Sequence, residues 1–103
     1  MLMSIHNLDM DEVNKVAAGV KAIALPDERW SHVDIKTTNL IPNILAQTKA
    51  EKKFAYTAML FRDGICTEGA TSNVFAVKDG ILYTHPADNF ILKGITRQMI
   101  ITR

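Results

Sequence analysis

Cys66-Thr-Glu-Gly-Ala-Thr-Ser-Asn-Val-Phe-Ala-Val-Lys-Asp-Gly-Ile-Leu-Tyr-Thr-His-Pro86 carries two signals back to back. Its second half is a hairpin: Val74-Phe-Ala-Val, the turn Asp79-Gly80, then Ile81-Leu-Tyr-Thr. Asp-Gly between apolar runs is the strongest local hairpin signal, because both turn positions take positive φ. Its first half is a polar cluster, residues 67–73, that interrupts an entering apolar strand. The cluster is too rich in hydroxyls and amide for a plain turn. It sets Glu68 beside a flexible Gly69, then Thr71, Ser72 and Asn73. Side chains and backbone N–H groups of that kind can grip a polar ligand together.

Upstream, Phe54-Ala-Tyr-Thr-Ala-Met-Leu-Phe61 reads as the clearest strand, and Arg62-Asp-Gly-Ile65 turns it back toward the cluster. Residues 40–53 read as a helix with Pro42 in its first turn and Thr38 or Asn39 as its cap. Leu40, Ile41, Ile44, Leu45 and Thr48 share one face of that helix. Before it, residues 20–25 read as a strand, Pro26-Asp27-Glu28 as a turn, and residues 29–35 as extended chain. Residues 9–18 read as a short helix or turn capped by Asn7 or Asp9, and residues 1–6 as a strand. Downstream, residues 85–93 read as a loop, and Gly94-Ile-Thr-Arg97 opens a last helix. Helices and strands interleave and hairpins dominate the second half. The expected fold is α+β, a mostly antiparallel or mixed sheet with flanking helices.

At 103 residues the chain is the size of one small domain. A net charge of +1 with 22% charged residues, and no basic block, argue against a nucleic-acid partner. No apolar run reaches membrane-spanning length, and the first residues lack the pattern of a signal peptide. The single Cys66 forms no internal disulfide, which fits a reducing, cytoplasmic compartment. It reads as a structural thiol, and the histidines have no metal-ligand spacing, so no metal is expected. The chain opens on a strand with nothing before it and closes on an apolar helix without a stop signal. The expectation is one partial domain, 1–103, cut from a longer protein at both ends.

Lys36, Glu68, Arg29 and the Gly94-Ile95-Thr96 helix start each have a bland reading in isolation: surface charge, turn carboxylate, surface stack on Trp30, and cap. Together they supply an amine nucleophile, a carboxylate and an anion seat made of helix N–H groups. Pyridoxal 5'-phosphate needs that set: a lysine for its aldehyde, N–H donors for its phosphate, and an anion for its ring nitrogen.

The strings Arg29-Trp-Ser-His-Val-Asp-Ile-Lys36-Thr-Thr-Asn-Leu, Thr67-Glu68-Gly-Ala-Thr-Ser-Asn-Val-Phe, Asp79-Gly-Ile-Leu-Tyr-Thr-His-Pro86 and Leu92-Lys-Gly-Ile-Thr-Arg97 resemble the class IV pyridoxal-phosphate-dependent aminotransferases. The D-amino-acid (D-alanine) branch is the nearest match. The resemblance runs from the second strand to the last residue, and its specificity lies in four ordered motifs. It implies that Lys36 holds the cofactor as a Schiff base and shuttles a proton, and that Glu68 pairs with the ring nitrogen. Arg29 would keep Glu68 ionised. Thr71, Ser72 and Asn73 would hydrogen-bond around the cofactor, Leu92 would lie against its ring, and Ile95 and Thr96 would bind its phosphate.

This sequence departs from the family pattern at Ala70 and Thr71, where relatives carry Ser. No Tyr follows Lys36 closely, unlike in the branched-chain members. The resemblance also implies the larger, cofactor-binding domain of the fold, amino-acid and 2-oxo-acid substrates, and a homodimer. The family's substrate-reading N-terminal domain has no counterpart here. Alternatives within the family are aminodeoxychorismate lyase and branched-chain aminotransferase. Outside it stands a non-catalytic fragment or interaction domain that self-associates.

Overall fold

β1 (Ala22–Pro26) and β2 (Thr57–Arg62) run parallel, with Ala22 opposite Thr57 and Pro26 opposite Phe61. Parallel neighbours cannot be joined by a tight turn, and α2 (Ile41–Lys52) makes the crossover between them. β3 (Ile65–Gly69) then folds back antiparallel on β2, giving a mixed sheet in the order β1-β2-β3. β4 (Phe75–Lys78) and β5 (Ile81–Thr84) form a separate two-stranded hairpin. α1 (Met10–Ala17) precedes the sheet and α3 (Ile95–Ile101) follows the hairpin. The computed structural model describes residues 2–103, and its architecture is the α+β class expected from the sequence.

Both Asp-Gly pairs act as hairpin turns. Asp63 and Gly64 have φ of 52° and 77°, and Asp79 and Gly80 have φ of 52° and 74°. That double left-handed geometry matches the right-handed twist of the flanking strands. At the other end of β2 the strand starts later than the apolar pattern suggests. Phe54 has a φ of 56° and its N–H bonds the Glu51 carbonyl, so it completes the turn out of α2. β1 extends through Pro26, which its position at the edge of the described sheet tolerates.

Asp9 caps α1, its Oδ1 accepting from the N–H groups of Asp11 and Glu12 at 3.0 and 3.3 Å. The cap expected for α2 does not form. Leu40 occupies the N-cap without a side-chain bond, and Thr37 Oγ1 accepts from Asn39 N at 3.2 Å in the preceding turn. Residues 2–6 form no strand, and Met1 lies outside the described residues. No neighbouring strand pairs with residues 2–6, and Leu2, Met3 and Ile5 stand exposed.

The expected apolar face of α2 is not the face it buries. Ala46 and Ala50 rest on the sheet, in a cluster with Ala55, Ala58, Leu60 and Ala70, and Ile23 and Leu25 pack against it. Ile41 and Ile44 remain 68% and 61% exposed. Small side chains let a helix approach a sheet closely, so the alanines win the contact although the isoleucines would bury more area.

β3 contains a bulge. Met59 pairs with Gly69 and Phe61 with Cys66, so Thr67 and Glu68 together oppose Leu60. A bulge breaks the alternation of a strand and re-aims a side chain. Thr67, Glu68 and Gly69 are consequently buried in succession. The polar cluster is therefore not an insert between strands; its first residues finish β3. Gly69 is no hinge either: its N–H bonds Ser72 O at 2.6 Å, and an added Cβ would strike Ser72 Oγ.

Candidate functional site

The loop between β1 and α2, one flank of α2, the end of β3 and the segment before α3 enclose a cavity of about 660 Å³. Arg29, Lys36, Glu68, Thr71, Ser72, Asn73 and Leu92 all line it. Of the residues singled out in the sequence, Ile95 and Thr96 do not line it; Gly94, just before them, does. Ile95 is 82% exposed. Trp30, Val33, Ile35, Leu40 and Ile44 form the apolar part of the wall. Leu40 and Ile44 thus turn toward the cavity rather than the sheet.

Glu68 is held by three partners. Its side chain is 7% exposed. Arg29 Nη1 donates to Oε1, Asn73 Nδ2 donates to Oε2 at 2.9 Å, and the Leu92 N–H approaches Oε2 at 3.3 Å. All three partners are donors, so the environment satisfies the carboxylate form and offers no acceptor to a proton. Burial nonetheless pushes the Glu68 carboxyl above its usual range, outweighing the Arg29 contact and the Leu92 N–H. The result is a carboxyl group of raised proton affinity, held by donors alone, at the wall of a cavity.

Asn73 is oriented independently of Glu68. Its Nδ2 also donates to Leu92 O at 3.0 Å, which fixes the direction of the amide. Its Oδ1 lies where a Cβ on residue 94 would stand, so Gly94 is required for this approach. Asn43 Nδ2 donates to Ala70 O at 2.7 Å and ties α2 to the segment after β3. Thr71 and Ser72 lie on the cavity wall with exposed side chains.

Arg29 is no surface stack on Trp30. It is buried, and Trp30 instead meets His32 edge to face at 5.4 Å. Arg29 Nε and Nη2 donate to Asp27 Oδ1 and Oδ2 at 2.8 and 2.9 Å, a bidentate pair. Nη2 also reaches Phe90 O at 3.1 Å. Thr67 Oγ1 donates to Asp27 Oδ2 at 2.9 Å. Burial alone would raise the Asp27 carboxyl, but the bonds from Arg29 and Thr67 prevail and hold it at about 2. Burial disfavours the Arg29 charge too, and the two carboxylates more than restore it. Arg62, 4.4 Å above the Phe90 ring, closes the group with Nη2 at 3.4 Å from Asp27 Oδ2.

Sequence reasoning passed over Asp27, Arg62 and Asn43. Asp27 stands two residues before Arg29 in a segment that reads as a simple turn, and that spacing was the available signal. Cys66 is free and half-buried, and burial pushes its thiol up. Among the described residues no group of three His, Cys, Asp or Glu side chains is arranged to hold a metal ion.

The model of the amino-transferase class IV family matches residues 1–103. This chain belongs to that family. It is 55% identical over 82 residues to the D-alanine aminotransferase of Staphylococcus epidermidis, a match that covers 80% of this chain and 29% of that protein. Among solved structures, it resembles the branched-chain aminotransferase of the archaeon Thermoproteus uzoniensis with norvaline. The TM-score is 0.71 at 30% identity, over 82% of this chain and 30% of that one. It also resembles the T.th. branched-chain amino acid aminotransferase complexed with N-(5'-phosphopyridoxyl)-L-glutamate. There the TM-score is 0.68 at 28% identity, over 82% of this chain and 30% of that one. The class IV chain thus spans less than a third of the length of each of these relatives.

Proposed function

We propose that this chain is part of the cofactor-binding domain of a cytoplasmic, homodimeric D-amino-acid aminotransferase. That enzyme would use pyridoxal 5'-phosphate to move an amino group between a D-amino acid, such as D-alanine, and a 2-oxo acid. One observation carries the reading: Lys36 and Glu68, from separate parts of the chain, face one cavity. Its volume of about 660 Å³ suits a cofactor with a small substrate. The donor set fits as well, with an amine and a carboxylate held by donors alone. The greater identity to a D-alanine aminotransferase than to branched-chain enzymes favours the D-amino-acid reading.

When bound, the cofactor supplies a carbonyl carbon that captures amines and a ring that accepts electrons as the substrate Cα loses its proton. The chain's own residues do the rest. The Lys36 amine would hold the cofactor and would be the base for the substrate Cα proton. Glu68, buried and held by donors alone, would keep a proton on the ring nitrogen through a charge-assisted bond of about 1.5–3 kcal/mol. Asn73 and the Leu92 N–H hold Glu68 in that orientation. Thr71 and Ser72 offer hydroxyls on the same wall, and the Leu92 side chain would pack against the ring. The N–H groups of Ile95 and Thr96, with the Thr96 hydroxyl, would hold the phosphate, although the cavity lining reaches only as far as Gly94.

The full-length protein tests this directly. Adding pyridoxal phosphate, trapping with borohydride and mapping by mass should place the label on Lys36, and Lys36→Ala should abolish it. Pyruvate should form from D-alanine only when 2-oxoglutarate is present. Label scattered over surface lysines would overturn the site, and pyruvate release from aminodeoxychorismate without an acceptor would point to lyase chemistry instead.

A further inference from the structure

The Glu68 carboxylate does not have Arg29 to itself. The guanidinium offers two edges, and Asp27 takes one of them through Nε and Nη2 at 2.8 and 2.9 Å. Glu68 receives only Nη1. The Asp27 side chain is 0% exposed, so this pair is a fixed part of the interior. Thr67 Oγ1 and the Arg29 N–H, at 2.9 and 3.1 Å, hold Asp27 in turn. Thr67 adjoins Glu68 in the β3 bulge, so the same irregularity that aims Glu68 into the cavity supplies the hydroxyl that anchors Asp27.

We infer that Asp27 is a positioning residue for Glu68: by occupying one edge of the Arg29 guanidinium, it leaves Glu68 a single ionic contact and an un-neutralised negative charge facing the cavity. Glu68 with Arg29 alone would be a neutral pair with little pull on a cationic ring N–H. Asp27 with Arg29 forms that neutral pair instead, and Glu68 remains the surplus anion. The other charged groups are Lys36, which lines the same cavity as Glu68, and Arg62, which approaches Asp27 at 3.4 Å. Arg62 keeps 24% of its side chain exposed and spends Nη2 on Arg29 O at 2.9 Å, so water screens its charge more than that of Arg29. Removing the Asp27 charge while keeping its size, as in Asp27→Asn, should release the guanidinium to face Glu68 undivided.

This inference rests on the cofactor reading for its purpose but not for its test. In the cofactor-free, full-length protein with labelled Glu carboxyl carbons, Asp27→Asn should lower the Glu68 titration midpoint by about one pH unit, because a nearby cation then acts on it alone. Asp27→Glu, which restores the charge, should return the midpoint toward its original value. In the loaded protein, Asp27→Asn should weaken pyridoxal phosphate binding about tenfold while Lys36 still takes the label. An unchanged Glu68 midpoint in a folded Asp27→Asn protein would overturn the inference. If that variant fails to fold, nitrogen NMR of arginine in the unmutated protein decides. Two separately resolved Nη signals for Arg29 support the divided guanidinium, and one averaged signal overturns it. Failure of Lys36 to load in the unmutated protein would sink the cofactor reading alone, because the Glu68 titration is made without cofactor.

Discussion

Two buried carboxylates around one guanidinium respond to acid in opposite senses. Asp27 has a folded pKa of about 2, below its ordinary value. Its ionised form therefore stabilises the fold at every pH above about 4, and that contribution, about 2 kcal/mol, is lost as pH falls from about 4 through about 2. Glu68 is raised by burial. Its ionised form costs stability near neutrality, and the cost is relieved as pH falls through its folded pKa. The urea midpoint should therefore hold or rise slightly on mild acidification and drop only below about pH 4. A midpoint falling steadily from pH 7 would contradict this assignment. Lys36 and Glu68 stood out in the sequence only in combination and through the family resemblance, and both line one cavity. The burial of Arg29 was legible only through the resemblance that set it beside Glu68, since its partners Glu68 and Phe90 O lie far along the chain. Nothing local distinguishes an arginine beside Trp30 on a surface from one beneath a sheet edge.

The elements differ in how much of their geometry is local. The two Asp-Gly turns were legible because their φ requirement resides in the dipeptide itself. The polar end of β3 was not, because residues 67–69 are held as strand by pairing with β2 and not by their own propensity. The helix α2 was legible as a helix but not in its rotation. Its alanine face wins the sheet contact, and the large residues beside it turn to the cavity or to solvent. Gly94 belongs at this scale too. It joins the loop before α3 to Asn73, and a Cβ there would strike Asn73 Oδ1. Gly94→Ala should cost about 1–3 kcal/mol through displacement of Asn73. It should weaken pyridoxal phosphate binding more than a surface alanine substitution such as Lys78→Ala. Equal binding in both variants would show that Asn73 can move freely.

Across the molecule, the interior is thin where it is apolar and dense where it is polar. The only large side chains fully buried among the described residues are Leu60 and Ile91. Phe54, Ile41, Ile44, Val77 and Ile95 all stand largely exposed. Such surface favours association, so the 103-residue chain expressed alone should show a mass that rises with concentration in sedimentation equilibrium. A constant monomer mass from micromolar to millimolar concentration would refute that.

The parallel register of β1 on β2 has a kinetic corollary. The β2–β3 hairpin needs only its own turn and can close in about 1–10 μs. Pairing Ala22 with Thr57 must wait for the intervening loop and α2 to be drawn in, a non-local step that is slow by nature. Asp27 and Arg29 ride on the end of β1, so Glu68 meets its counter-ion only when that last strand docks. Until then, the nascent chain carries a carboxylate in its hairpin that prefers water. That preference opposes premature burial of the hairpin against any partner other than β1.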